Sequence, residues 1–325
     1  MKPTAPADQV PVLTVTLNPA LDLSTTTASV RPDLKLRCDA PLIHPGGGGV
    51  NVSRAIRLMG GTSCAFVALG GLTGQRVARL LQAEGIALAV QDLPGETRES
   101  FTATDRTTGQ QYRYVLPGPE WSPAMVEEAL ATIAARVEAG GYVVLSGSNP
   151  PGVPPGFGRD LAQAVARAGG RLIVDTSGEA LRRITQPGGP RIEVLRIDGP
   201  EAEALAGRPL THQRDTLHFA RELLGRGLAR AVVIARGADG NLLASANGCW
   251  HAEAKRVPIL SKIGAGDSYV AGLTLALARG WPDHLALALG AAAATATIQT
   301  PATELCPPAD VEALFDPGSV TQIDC

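Results

Sequence analysis

Lysine is nearly missing from this sequence. Four of its 29 basic side chains are lysines (Lys2, Lys35, Lys255 and Lys262), so a lysine at a motif position is not there by abundance. Charge of one sign is lacking as well. The 29 basic and 31 acidic side chains leave a net charge of -2, which argues against nucleic acid as a bulk electrostatic partner and leaves room for a local basic cluster around a small anion. The five cysteines (Cys38, Cys64, Cys249, Cys306 and Cys325) are odd in number, far apart and without a C-x-x-C spacing. Neither a disulfide framework nor a zinc site is expected from them, and a reducing cytoplasm is the expected compartment. No window is long and apolar enough to span a bilayer, so no membrane partner is expected. The nearest, Leu285–Ile298, is mostly alanine with threonines and reads as a packed helix. The opening MKPTAPADQV has no apolar stretch of the kind a signal peptide needs.

What is present is a large supply of core residues. The chain has 325 residues, 45% of them hydrophobic, enough for two domains or one large α/β domain. Short apolar runs alternate with alanine-rich helical stretches. Strands are expected at Val12–Leu17, Ala65–Leu69, Tyr142–Leu145, Leu172–Asp175, Val194–Ile197 and Ala231–Ala235. Helices are expected at Val50–Met59, Gly74–Glu84, Met125–Ala139, Gly156–Ala168, Asp267–Arg279 and His284–Thr297. Such alternation implies a parallel sheet with helices on both faces. Leu23–Ile43 and Glu99–Leu116 break the rhythm. They read as antiparallel strands of a small accessory sheet, or as ordinary edge hairpins.

Two glycine-rich turns carry chemistry. In I-G-A-G-D-S (Ile263–Ser268), Gly264 and Gly266 let successive backbone N–H groups point into one space, and the following helix adds its positive end. That is an anion hole fitted to a transferring phosphoryl group. Asp267 at its mouth is placed to accept a proton from an attacking hydroxyl, or else to cap the helix. In P-G-G-G-G-V-N (Pro45–Val50 and Asn51), four glycines offer no side chains, so something approaches the backbone closely. A sugar ring held by Asn51 and a plain flexible turn are the two readings. Neither run is a Walker P-loop or a Rossmann dinucleotide fingerprint.

Seven stretches, in order and spacing, resemble the PfkB branch of the ribokinase-like sugar kinases. They are T-L-N-P-A-L-D (16–22), K-L-R (35–37), P-G-G-G-G-V-N-V-S-R-A-I (45–56), Q-Y-R-Y-V-L-P-G (111–118), S-G-S-N-P-P-G (146–152), D-T-S-G-E-A-L (175–181) and G-A-G-D-S (264–268). The resemblance covers about residues 12–315. With Gly48 where 1-phosphofructokinases and tagatose-6-phosphate kinases usually carry lysine, it is strongest to the ATP-dependent 6-phosphofructokinases of that branch. It implies an α/β fold: a ribokinase-like, Rossmann-type core with a mainly parallel sheet flanked by helices, built from 12–22, 44–97 and 119–325. A small β-sheet lid would come from 23–43 and 98–118 and clasp a second copy into a homodimer.

The resemblance also implies site roles. Asp267 would be the general base toward the 1-hydroxyl of fructose 6-phosphate, and the backbone of Gly264, Ala265, Gly266 and Asp267 would hold the transferring group. Asp22 and Asn51 would grip sugar hydroxyls, with Gly47 and Gly48 allowing approach and Ser148 nearby. Lys35, Arg37, Arg98 and Arg113 would meet the 6-phosphate. On the ATP side the usual K-P-N-x-x-E reads R-I-D-G-P-E (Arg196–Glu201), and S-x-G reads A-R-G (235–237). Arg196, Asp198, Arg236, Gly237, Gly240 and Lys262 are the expected ATP contacts, and Asp198 with Glu201 the expected organisers of Mg2+. A K+ requirement is left open by Lys262, which stands where the family has threonine. Alternatives within the class are 1-phosphofructokinase, tagatose-6-phosphate kinase, and a nucleoside or ribose kinase. A non-catalytic sugar-phosphate sensor is the alternative of another class.

Overall fold

The computed structural model describes residues 9–325. Lys2 and most of the segment inspected for a leader lie outside the described residues. The chain runs β1 (Val12–Thr16), β2 (Ala20–Thr27), β3 (Leu42–Gly46), α1 (Gly48–Leu58), β4 (Cys64–Leu69), α2 (Gly71–Ala83), β5 (Ala87–Asp92), β6 (Arg98–Asp105) and β7 (Gln111–Val115). It continues through α3 (Pro123–Ala134), β8 (Tyr142–Ser146), α4 (Phe157–Arg167), β9 (Arg171–Asp175), α5 (Gly178–Ile184), β10 (Ile192–Asp198), α6 (Gly199–Ala206), α7 (Gln213–Gly225) and β11 (Ala229–Ala235). The last part is β12 (Asn241–Ser245), β13 (Gly248–Ala252), α8 (Ala265–Ala278), α9 (Asp283–Thr297), α10 (Pro308–Leu314) and β14 (Val320–Ile323).

Ten strands form one sheet in the order β14-β13-β12-β11-β10-β9-β8-β1-β4-β5. It is parallel from β5 to β11, and β12, β13 and β14 add on antiparallel. The inner strands are apolar on both faces, as buried parallel strands must be. Alternate residues sort to two cores. Leu13, Val15, Val143 and Leu145 join α3, α4 and α7 on one face. Val12, Tyr142 and Val144 join α1, α8 and α9 on the other. The alanine-rich 285–298 stretch is a packed helix because small residues let α9 lie against α8. A Cβ on Gly272 would come within 2.6 Å of the Leu289 carbonyl oxygen.

A second sheet of four strands has the order β3-β2-β6-β7. Its strands reach into residues 20–22 and 44–46, outside the off-rhythm segments. One pairing also differs from expectation. β2 and β6 run parallel, joined through core elements, while β3 and β7 flank them antiparallel. The cysteines give a clear correction. Cys249 and Cys325 form a disulfide across 76 residues of sequence. Strand pairing of β13 with β14 brings them together, which spacing along the chain could not reveal. Cys38, Cys64 and Cys306 are free. No helix among the described residues is long and apolar enough to cross a membrane.

Candidate active site

In the large sheet, β1 has β4 on one side and β8 on the other, and the chain order reverses there. The carboxyl ends of neighbouring strands at such a switch point open a crevice. A cavity of about 250 Å³ occupies it, walled by Thr16 at the end of β1, Ser146 at the end of β8 and the underside of the small sheet. Asp22, Gly47, Gly48, Asn51, Arg98, Arg113, Ser148, Gly264 and Asp267 all line it. Most of the expected sugar-side residues, with Gly264 and Asp267 of the anion turn, therefore line one space.

The glycine run turns out to be needed by the protein itself. α1 begins inside it, and its first turn abuts the ends of β1 and β8. A Cβ on Gly48 would sit 2.5 Å from Ser146 Oγ, and one on Gly49 would sit 2.6 Å from Thr16 Oγ1. Gly47 caps the helix at φ 113°, a region that favours glycine. Close packing of a helix start against two strand ends thus explains the run without a ligand, and it delivers Asn51 to the cavity wall.

Asp267 does not cap α8. Gly264 does, in a left-handed conformation with φ 74°. Asp267 is the third residue of the helix and its carboxylate faces the cavity, where Asn51 Nδ2 donates to it at 2.9 Å and Ser146 Oγ at 3.5 Å. Asn51 is itself oriented by Arg54, whose Nη1 lies 3.5 Å from its Oδ1. Burial pushes the Asp267 carboxyl up to about 6, with Asp175 and Asp22 adding to the rise and Asn51 and Arg196 opposing it. The N–H groups of Gly266 and Asp267 fall in the first turn of α8, where no helical carbonyl precedes them. The site thus joins a carboxylate pushed up to about 6 to a positive helix end.

Cations ring the sugar side unevenly. Arg98 is anchored: its Nε and Nη2 donate to the Asn18 carbonyl at 3.2 and 3.0 Å, and Nη1 donates to Ser100 Oγ at 3.1 Å. Burial raises the Asp22 carboxyl, and Arg98, Ser100, Arg54 and Arg113 pull it back. Arg113 is exposed at the cavity rim. Lys35 and Arg37 are exposed on the 28–41 segment and do not line this cavity.

On the other side of α8, the Arg196 guanidinium packs beneath Gly266, where a Cβ would come within 3.3 Å of its Nη1. Its charge is fixed against the cost of burial by Asp175, which accepts from Nη1 at 3.0 Å. Asp198 and Glu201 form a reciprocal helix cap. The Glu201 N–H donates to Asp198 Oδ1 and the Asp198 N–H to Glu201 Oε2, each at 2.9 Å. Glu201 is raised by burial; the hydrogen bond from the Asp198 N–H and the Arg196 charge oppose this, while the Asp198 and Asp175 charges add to it. Arg236 is engaged within the chain. Its guanidinium donates to the carbonyls of Leu210 and Thr211 at 3.0 Å each and to Thr216 Oγ1, so it ties down the segment before α7. Gly240 is required by the β11–β12 turn, where a Cβ would strike the Ala252 carbonyl oxygen at 2.1 Å. Gly237 faces open space and Lys262 is exposed. Among the described residues no group of three or more His, Cys, Asp or Glu could hold a metal.

The family described as pfkB family carbohydrate kinase matches residues 12–310. The ATP-dependent 6-phosphofructokinase isozyme 2 of Mycobacterium tuberculosis is 38% identical over 305 residues, covering 94% of this chain and 89% of its own. The chain belongs to the pfkB carbohydrate kinases. Its fold also superposes on phosphofructokinase-2 from Escherichia coli. The crystal structure of that protein with fructose-6-phosphate gives a TM-score of 0.88 at 35% identity, covering 94% of this chain and 98% of the other. Its structure with potassium gives 0.89 with the same identity and coverage.

As a member of this kinase family the protein phosphorylates a sugar hydroxyl. Several cavity residues lie outside the sequence reading. Ser146 and Asn18 stand within the motifs quoted for the family, yet nothing in the sequence distinguished them from turn residues. Outside the cavity, Asp175, which pairs with Arg196, opens another quoted motif unremarked. Thr303, on the loop after α9, lines the cavity with no motif around it.

Proposed function

We propose that the protein transfers the γ-phosphoryl group of ATP to the 1-hydroxyl of fructose 6-phosphate, giving fructose 1,6-bisphosphate and ADP. The observation that carries the reading is the Asp267 carboxylate, turned into the cavity beside the first-turn N–H groups of α8. Asp267 accepts the proton of the attacking hydroxyl while the Gly266 and Asp267 N–H groups stabilise charge on the transferring group. Asn51 and Ser146 hold the carboxylate in aim. Arg98 and Arg113 receive the sugar phosphate, and Asp22 the sugar hydroxyls.

Arg196 sits on the ATP side of α8 as a fixed charge toward the polyphosphate. Asp198 and Glu201 leave carboxylate oxygens at the carboxyl end of β10, a donor set that suits a magnesium ion arriving with its nucleotide and waters better than a resident metal. Magnesium bound with ATP supplies charge neutralisation on the phosphates. A potassium effect is the finer question, because Lys262, an exposed cation, stands two residues before Gly264. Substituting KCl for NaCl at constant ionic strength tests it. We also propose that the protein acts as a homodimer through the small sheet, with Lys35 and Arg37 completing the phosphate site of the partner copy, and that it works in the cytoplasm.

The deciding experiment is ADP release with magnesium-ATP and fructose 6-phosphate, against fructose 1-phosphate, tagatose 6-phosphate and ribose. Preference for fructose 6-phosphate by kcat/KM supports the reading. Faster turnover of another acceptor reassigns the substrate. Binding of sugar phosphate without any ADP release makes the protein a sensor.

A further inference from the structure

The kinase site has two halves that the chain builds separately. The sugar half rests on β2, β3 and the start of α1. The anion half is the turn into α8. One polar side chain joins them outside the cavity. His44, on β3 opposite Asp22, places Nδ1 2.8 Å from Oγ1 of Thr303. Thr303 is buried, 5% exposed, and forms cavity wall. The next links run through the same loop. The carbonyl of Ala302 accepts from Ser261 Oγ at 2.8 Å, and Ser261 Oγ accepts from the N–H of Ile263 at 3.2 Å. Ile263 immediately precedes Gly264, the cap of α8. Leu305 of that loop also lies directly under Gly264, where a Cβ would come within 2.6 Å of Leu305 Cδ2.

The loop is held in a conformation it would not adopt unaided. Ala302 has φ 54°, one of two non-glycine residues with positive φ among the described residues, and such backbone persists only where surrounding contacts over-determine it. Burial and the nearby Arg54 charge lower the His44 pKa, while Glu84 and Glu304 oppose this. The ring is therefore neutral near pH 7 and can donate or accept toward the Thr303 hydroxyl, whichever tautomer it adopts.

We propose that His44 is a positioning residue for phosphoryl transfer, fixing through Thr303 the turn that carries the α8 anion hole relative to the sugar-binding half of the site. The proposal rests on the kinase reading above. Its chemistry is geometric: Asp267 and the first-turn N–H groups are useful only at the correct distance from the sugar hydroxyl, and a small displacement of one half against the other is costly.

The test uses His44→Phe and Thr303→Val, which remove the bond, with His44→Asn and Thr303→Ser as variants that keep a polar atom near the lost position. The acceptor is whichever sugar phosphate the unmodified protein turns over fastest. Removal of the bond should lower kcat about ten- to a hundredfold and leave the acceptor KM within about twofold. The double variant should be no slower than the slower single one, because both remove one interaction. His44→Asn and Thr303→Ser should recover most of the rate. Amide hydrogen exchange over residues 261–268 should accelerate by about tenfold in His44→Phe. That readout requires no turnover, so it separates this proposal from the kinase reading. Unchanged exchange in 261–268, losses that multiply in the double variant, or conservative variants as slow as the bond-lacking ones would each overturn the proposal. Absence of ADP release by the unmodified protein would instead overturn the kinase reading, with the exchange experiment still deciding the coupling.

Discussion

At the scale of single residues, Asp267 is expensive to keep. Its carboxyl stands at about 6 in the folded chain, well above the ordinary aspartate value of 3.8. A raised carboxyl pKa means that the folded state disfavours the charged form. The stability cost therefore develops between the unfolded and folded values and is fully present above about pH 6. Asp267→Asn is expected to raise the melting temperature at pH 7 while cutting kcat by about 10²–10⁴, the usual cost of losing a general base. Thermal melts and turnover on the same preparation check both signs, and a variant keeping a tenth of the activity would remove the base role. The same titration gives kcat/KM an acid limb near pH 6, with activity lost as Asp267 protonates. Arg113 and Arg98 separate in another way. Arg113→Ala should raise the sugar-phosphate KM about ten- to a hundredfold, the worth of one charged hydrogen bond, with no thermal cost. Arg98→Ala should raise KM and also lower the melting temperature, because Arg98 secures the Asn18 carbonyl and Ser100.

At the scale of elements, α6 shows how one motif serves two ends. Asp198 and Glu201 cap the helix reciprocally, and a magnesium role needs only their remaining oxygens. Asparagine caps as well as aspartate, so Asp198→Asn should leave stability and turnover near the unmodified values. Glu201→Gln keeps an acceptor for the Asp198 N–H and removes a charge. It should shift the magnesium dependence of turnover to higher concentration at fixed ATP, with a near-constant melting temperature. A magnesium titration superposing on the unmodified protein would leave the pair as a cap alone. Arg236 shows what the sequence could not: it donates to the carbonyls of 210 and 211, a partner set formed only when α7 packs beside β11. Periodicity and turn chemistry made the inner strands, α1, α8 and α9 legible, because a continuous apolar run or alanine-rich stretch has few other uses in a parallel sheet. β3, β5, β13 and β14 were not legible, since half-exposed strands carry weak patterns. The Cys249–Cys325 pair shares that cause: it depends on β13–β14 pairing. Within the site, the glycine turns and Asp267 could be read locally. Thr303 and the Asn51–Asp267 bond arise from contacts between distant segments.

At the scale of the whole molecule, the small sheet leaves several large apolar side chains exposed. Leu34 is 61% exposed, Tyr114 54%, Val115 64% and Leu116 54%, and all belong to the small sheet, its end or its 28–41 segment. Apolar residues gathered on one sheet mark an interaction surface. Tyr114 and Val115 also line the cavity, so whatever covers them closes the site. Lys35 and Arg37 flank Leu36 on the same segment, outside the cavity of their own chain. A second copy docked sheet to sheet would bury the apolar side chains and exclude water from the mouth of the cavity. It would also bring a lysine and an arginine near a sugar phosphate already facing Arg98 and Arg113. Association and substrate affinity should therefore fall together. Sedimentation is expected to show a dimer for the unmodified protein and a monomer for Leu34→Asp combined with Val115→Asp, since burying two carboxylates in that interface is costly. In the same variant the sugar-phosphate KM should rise at least about tenfold, as expected for lost charged hydrogen bonds, while the ATP KM stays near its starting value because the α8–β10 side is untouched. Lys35→Ala should reproduce the KM change without dissociating the dimer. A fully active monomer, or a dimer indifferent to both aspartates, would show that the small sheet closes over the site within one chain.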